Sequence, residues 1–262
     1  MSIVACVKTQ GGVVLGADSM STISAPNPAG GGAFTLKTYS HAHKVFQVAN
    51  LPIGVMTYGI GNMGQRSIGS YILECSRDLQ DVATTVRGVA DRLLKHLSDT
   101  HKSMYSALPA DKQPGLGIYV AGYDPNAVAP VEWEFVIPRD AEPRIVRPQE
   151  VFGAAWRGME GIFARLFFGM EPQLSADLGQ EKFQQLYQKH IMKVIFDPMP
   201  LQDAIDFAHF ILQTTIGMSR FMIGAAACGG PIDIATITEA GVSDSRFTWV
   251  SKKEHYIDRR MY

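Results

Sequence analysis

Cysteine is scarce. Cys6, Cys75 and Cys228 are the whole complement in 262 residues, too few and too scattered for a disulfide framework or a four-ligand zinc site. The scarcity points to a reducing, cytoplasmic compartment. A charge surplus is also missing: 24 Lys and Arg stand against 25 Asp and Glu, a formal net charge of -1. With no positive excess to condense on a phosphate backbone, nucleic acid is not an expected partner. No apolar run reaches the roughly 18 residues of a membrane helix. The opening run from Ser2 to Val7 lacks a basic stretch before it and is too short for a signal sequence. Neither a membrane nor export is therefore expected. The sequence also lacks a Gly-x-Ser-x-Gly elbow, which disfavours the common serine-hydrolase arrangement. Its glycine triplet Gly30-Gly31-Gly32 leads into Ala33-Phe34-Thr35, not into the Gly-Lys-Ser or Gly-Lys-Thr of a phosphate loop.

What is present is core material, with 46% hydrophobic and 19% charged residues, the balance of a folded globular chain. At roughly 150 residues per domain the length admits one large domain or two small ones. No stretch has linker composition, so residues 1–262 read as a single domain. Residues 251–262 read as a C-terminal extension that either covers an edge or a neighbouring subunit, or frays.

Ile3-Val4-Ala5-Cys6-Val7 and Val13-Val14-Leu15-Gly16-Ala17 flank a Gly-containing turn and predict a hairpin. Neither strand alternates cleanly, which predicts a sheet covered on both faces. Residues Ile23 to Phe34, rich in Pro and Gly, read as a mobile loop. Lys44 to Val48 and Ile53 to Thr57 predict a second hairpin. Helical spacing follows, with Ile68, Ile72 and Cys75 on one face and Val82, Val86, Val89, Leu93 and Leu97 on another. Leu116 to Gly122, Val131 to Ile137 and Arg144 to Val146 read as strands. Met159 to Phe168, Lys182 to Ile195 and Leu201 to Met218 read as helices, and Ile232 to Thr238 and Phe247 to Val250 close the pattern as strands. Strands, a helix pair, strands, helices and strands in that order fit two antiparallel sheets between helical layers rather than a parallel doubly wound sheet.

Centring the first hairpin on Gln10 sets Ser2 opposite Asp18, with Cβ atoms about 4.5 to 5.5 Å apart. An Asp closing an apolar strand wants a cation, and both Lys44 and Lys37 are candidates. Removal of Met1 ahead of the small Ser2 would put a hydroxyl and a free α-amine on one residue. That amine has a reference pKa of about 7.7 to 8.0 against about 10.4 for lysine, so it can serve as the base for its own hydroxyl without a histidine. Asp18 would orient Lys44, and backbone N–H groups at Tyr58 or Gly59 would receive an oxyanion. Taken singly, each of these residues has an ordinary reading: a second-position Ser, an Asp18-Ser19 turn cap, a strand-edge lysine and a turn entering a helix.

These residues carry a resemblance. Gly12-Val13-Val14-Leu15-Gly16-Ala17-Asp18-Ser19, His43-Lys44-Val45-Phe46, Gly54-Val55-Met56-Thr57-Tyr58-Gly59 and Cys228-Gly229-Gly230-Pro231-Ile232-Asp233-Ile234 resemble the proteasome β-subunit family of N-terminal nucleophile (Ntn) hydrolases. Within it the chain looks closest to the homologue of some β-proteobacteria. The resemblance implies an α+β four-layer αββα sandwich, a nucleophile at Ser2 in place of the usual Thr, Asp18 and Lys44 as its support, and a homo-oligomer of stacked double rings enclosing the sites, with peptides or unfolded proteins as substrate. Two family features are missing. A supporting Ser before the third helix is absent from Gly153-Ala154-Ala155-Trp156-Arg157-Gly158, and an Asp before the late glycines is absent from Gly224-Ala225-Ala226-Ala227-Cys228.

His41 and His43 share a strand face, but no nearby carboxylate or cysteine completes a metal site, and no cofactor is expected. His209 reads as buried or half-buried on its helix; His96, His101, His190 and His255 read as surface residues. Met159, Met170, Met192, Met199, Met218 and Met222 read as packing between helices. Leu166-Phe167-Phe168 spreads apolar surface over several faces of one helix, which suggests a subunit neighbour. The leading expectation is an Ntn peptidase; a catalytically silent or weakly active assembly and a small-amide hydrolase are the alternatives.

Overall fold

The computed structural model describes residues 2–26, 33–79, 84–171, 173–239 and 246–251. Strands β1 (Ile3–Thr9) and β2 (Gly12–Asp18) form the expected opening hairpin, and every residue in both is buried, Lys8, Thr9 and Asp18 included; their apolar runs lie in a sheet covered on both faces. The register corrects the expected pairing. Thr9 pairs with Gly12 and Val4 with Ala17, so the turn is the two residues Gln10-Gly11 and Asp18 comes level with Ile3 rather than Ser2. Two-residue turns are the common hairpin closure, and they shift every pair by one from a turn centred on a single residue.

Residues read as an irregular loop instead contribute β3 (Ser21–Pro26) and β4 (Ala33–Tyr39), which pair with each other; the glycine triplet lies outside the described residues. The second hairpin is β5 (Val45–Gln47) with β6 (Ile53–Gly59). A short pair, β7 (Asn62–Met63) and β8 (Arg66–Ser67), leads into α1 (Ile68–Arg77), and α2 (Val86–Tyr105) follows. Ser67 and Thr85 cap these helices, each hydroxyl accepting a first-turn N–H. Val82, assigned to the second helix face, lies outside the described residues. Next come β9 (Leu116–Gly122), β10 (Val131–Ile137), β11 (Arg144–Ile145) and β12 (Gly153–Gly158). The chain continues with α3 (Glu160–Phe168), the short α4 (Leu174–Leu178), α5 (Gln180–His190) and α6 (Leu201–Ser219), then β13 (Ile232–Thr238) and β14 (Arg246–Ser251). Beyond Ser251 the expected extension lies outside the described residues.

One five-stranded antiparallel sheet has the order β12-β1-β2-β13-β14, and a second has β11-β10-β9-β6-β5. Three apolar clusters hold them. The first joins α1 and α2 to β6, β9 and β10 through Ile72, Leu93, Leu97, Ile118 and Phe135. The second joins α3 and α6 to β1, β2 and β12 through Ile3, Ala5, Trp156, Phe163 and Leu212, with Phe167 and Phe168 packed on Trp156. The third takes the alternate residues Val4, Cys6, Val13 and Leu15 against Met56, Tyr119 and Ala121 of the other sheet. Period-two alternation thus sends half of β1 to the helices and half to the facing sheet.

Two histidines are placed differently from their sequence reading. His101 is buried, its Nε2 2.8 Å from the Pro114 carbonyl, because it follows Leu97 by four positions on the buried stripe of α2. His209 is exposed; it lies one step beyond Ala208, and the buried stripe of α6 runs Ala204, Ala208, Ile211, Leu212, Thr215.

Between the sheets lies a polar cluster. Glu132 Oε1 accepts from Tyr119 Oη–H at 2.7 Å and from the Cys6 thiol at 3.1 Å. Arg147 Nε stands 2.9 Å from Oε2, and Lys8 Nζ stands 4.0 Å from it while donating to the Pro148 carbonyl at 3.0 Å. Burial pushes the Cys6 thiol well up, and the Glu132 charge adds to it, consistent with a thiol that donates. Glu132→Ala would strand two buried cations and should cost about 3–5 kcal/mol, read as a fall in chemical-denaturation midpoint at unchanged slope.

Candidate active site

Asp18 ends β2 with 1% of its surface exposed, and four donors converge on its carboxylate. Oδ1 accepts from Ile3 N–H at 3.0 Å and from Lys44 Nζ at 2.6 Å. Oδ2 accepts from Gly229 N–H at 2.9 Å and Met20 N–H at 3.2 Å. The sequence motif Cys228-Gly229-Gly230-Pro231 thereby meets Gly16-Ala17-Asp18-Ser19. Ser19 N–H donates to the Gly229 carbonyl at 3.1 Å, and Ser19 Oγ donates to the Pro231 carbonyl.

Lys44 immediately precedes β5, and its carbonyl accepts from Thr57 N–H at 3.0 Å. Its side chain is buried, and burial pushes the ammonium down from its ordinary value against the pull of Asp18. Lys37, the rival cation, sits on exposed β4 with Nζ 6.0 Å from the Tyr39 ring. Lys44 is thus the lysine paired with Asp18.

Ser2 is 5% exposed and lines a cavity of ≈ 360 Å³ together with Lys44, Thr57, Tyr58 and Gly59. The cavity also takes in Met20, Ser21, His41, His43, Phe46 and the start of α1. What fixes Ser2 was not legible as a motif. Its carbonyl accepts from Met159 N–H at 2.8 Å, and Gly158 sits against the same oxygen at φ +96°, so close that a Cβ there would fall 2.0 Å from it. The only sequence signal was the glycine closing Trp156-Arg157-Gly158. Where the resemblance leads one to look for supporting hydroxyl and carboxylate groups, this chain presents sulfur: the Cys228 thiol donates toward the Met159 thioether at 3.7 Å. Burial pushes that thiol up.

Strand alternation separates the two oxyanion candidates. Ile60 N–H donates to the Gly115 carbonyl, and Thr57 N–H to the Lys44 carbonyl. Even positions of β6 therefore turn their amides to β9 and odd ones toward β5. Tyr58 N–H belongs to the ladder, whereas Gly59 N–H is aimed to the Lys44 side. Gly59 has φ +97°, and a Cβ there would fall 2.3 Å from the Gly115 carbonyl oxygen. Among the described residues no three His, Cys, Asp or Glu side chains form a group able to hold a metal.

Comparison with known proteins gives a fold and no closer relative. No protein-family model matches the chain, and no curated protein sequence does. Solved structures do. The Anbu complex from Pseudomonas aeruginosa superposes with a TM-score of 0.57 at 14% identity, over 97% of this chain and 88% of that one. The fold is that of the Anbu proteins. An Anbu (Gly-1) mutant from Hyphomicrobium sp. strain MC1 gives 0.58 at 11% identity over 98% and 90%. Anbu from Yersinia bercovieri, described as an ancestral beta-subunit, gives 0.53 at 11% over 90% and 82%. The likeness is one of α+β fold, shared with these Anbu structures, and it does not single out the β-proteobacterial homologue. The Pseudomonas complex is a helical assembly, which overturns the expectation of stacked double rings. Rings need a head-to-tail rotation that closes, and a rotation that does not close propagates as a helix.

No helix of the described residues is long and apolar enough to cross a membrane. Two substitutions probe the site. Lys44→Ala leaves the Asp18 carboxylate buried with its cation gone and should cost about 3–5 kcal/mol, whereas Lys37→Ala should leave the melting temperature unchanged. Gly158→Ala must move the Ser2 carbonyl and should cost about 1–3 kcal/mol, again read by thermal melting.

Proposed function

We propose that the chain is a self-assembling, weakly active amide hydrolase in which Ser2, freed by removal of Met1, is the nucleophile. The observation that carries this reading is the 2.6 Å pair of Lys44 Nζ with Asp18 Oδ1, an oxygen that also binds the amide of Ile3, next to Ser2. In the proposed reaction the Ser2 α-amine takes the hydroxyl proton as Oγ bonds to the amide carbon. Lys44 supplies positive charge beside the oxygen, and Gly59 N–H receives the oxyanion. The C–N bond then breaks, the leaving amine takes the proton, and water hydrolyses the ester. Weak activity follows from the Met159 and Cys228 sulfurs in the region where hydroxyl and carboxylate support for the amine is expected, because a displacement of about 1 Å can cost on the order of 100-fold in rate. A silent assembly is the second reading, favoured by the same two sulfurs. The three apolar clusters support a single domain in the layer order helix, sheet, sheet, helix. The Pseudomonas complex supports helical rather than ring assembly for this chain.

The test is mass spectrometry of the native N-terminus followed by an α′,β′-epoxyketone, which closes a ring only with a hydroxyl and an α-amine on one residue. Loss of Met1 and a Ser2 adduct that disappears in Ser2→Ala, with the fold intact, are expected. Retained Met1 with unlabelled Ser2 would establish the silent reading instead.

A further inference from the structure

β12 ends one sheet and β11 ends the other. A cavity of ≈ 240 Å³ is lined there by β12, by Val146 and Arg147 just after β11, and by α3. It shares no lining residue with the Ser2 cavity. Its apolar lining is Val146, Ala154, Ala164 and the stacked pair Trp156 and Phe168, whose ring centroids are 5.3 Å apart. Its charged lining is Arg147, Arg157 and Glu160.

Arg157 is occupied. Its Nε and Nη2 donate to Glu134 Oε2 at 2.8 and 2.5 Å, and its Nη1 donates to the Trp156 carbonyl at 2.8 Å. Arg147 is not. Its side chain is only 11% exposed and its Nε faces Glu132 at 2.9 Å, yet neither Nη donates to an acceptor among the described residues. Nη1 lies so close to Gly153 that a Cβ there would fall 2.5 Å from it, so the glycine makes room for the guanidinium. Glu132 does not balance this charge alone, because the same Oε2 lies 4.0 Å from Lys8 Nζ. The other groups on Glu132, the Cys6 thiol and the Tyr119 hydroxyl, donate as neutral groups whose ionisation burial opposes. Two buried cations thus share one carboxylate, with only the exposed Glu150 adding its field at Lys8.

We propose that this cavity binds a small apolar monocarboxylate, its two oxygens accepting from the Nη groups of Arg147 and its apolar group lying against Trp156 and Phe168. A guanidinium stays charged and holds its donors in a planar fork that matches a carboxylate. The volume suits a single ring or branched side chain, and Glu160 on the same lining opposes a dianion such as phosphate. The carboxylate comes either from a free acid or from the end of a peptide chain. The site does not depend on Ser2 as a nucleophile, although β12 runs on from it into Gly158 and Met159, which hold the Ser2 carbonyl.

The experiment is isothermal titration calorimetry on the full chain with 3-phenylpropanoate, its neutral amide, inorganic phosphate, and the tripeptide Ala-Ala-Phe with a free or an amidated carboxyl group. Phenylpropanoate or the free tripeptide should saturate one site per chain, at least about tenfold more tightly than the matching amide or phosphate. Arg147→Lys keeps a cation beside Glu132 but loses the fork, and should weaken binding about tenfold or more. Ala154→Leu narrows the cavity without touching a charge and should do the same. Circular dichroism melting verifies folding, and Ala154→Leu carries the test if Arg147→Lys does not fold. Binding of the free tripeptide but not its amide assigns the carboxylate to a chain end, and binding of phenylpropanoate alone assigns it to a free acid; either sustains the site. No saturable binding, equal binding of the amide, tighter binding of phosphate, or unchanged binding in a folded variant would overturn it. Ser2→Ala should bind as the native chain does, whereas loss of binding there would place the ligand in the Ser2 cavity and reject this site.

Discussion

A single buried carboxylate organises the region around the chain's beginning. Asp18 gathers four donors that come from β1, from the turn after β2, from the residue just before β5 and from the glycine turn before β13. Those donors span residues 3 to 229, and only Ile3 among them lies in a strand. An ionised carboxylate without them would carry a desolvation cost of several kcal/mol, so the fold and the local geometry are stabilised together. Lys44 is fixed by this requirement more than by its own preferences, since burial disfavours its charge and the Asp18 partner is the main group opposing that.

Around this centre the backbone does most of the positioning. Gly158 allows β12 to pass against the Ser2 carbonyl, and Met159 N–H then holds that oxygen. Gly229 delivers an amide to Asp18 and a carbonyl to Ser19. Side-chain support is thinner, with the neighbouring positions occupied by the Cys228 thiol and Met159 thioether. Sulfur fills space and accepts weakly, which keeps the region packed.

Much of this was legible beforehand. The strands of 116–122, 131–137 and 232–238 were readable residue for residue, and the helices within one or two residues at several ends, because strong periodicity and clear breakers coincide there. That Asp18 needs a cation was readable, with Lys44 and Lys37 as the candidates, because an Asp closing an apolar strand has few other ways to be satisfied. The β3–β4 ribbon was not readable: its pattern is irregular at the bulge, and no core face imposes alternation on it. His101 and His209 were exchanged in burial because a one-residue phase difference on a helix turns a side chain by about 100°.

The sequence by itself determined where apolar runs begin and end, that both faces of the opening hairpin are covered, and which polar residues lacked a local partner. Those are properties of spacing and composition, carried by neighbours along the chain. Only the tertiary structure decided that Asp18 stands level with Ile3, that Lys44 rather than Lys37 reaches it, that Gly59 rather than Tyr58 turns its amide toward Lys44, and that Gly158-Met159 hold Ser2. Each depends on a register or a contact between segments distant in sequence, and a one-residue slip that spacing scarcely registers reverses every side chain of a strand.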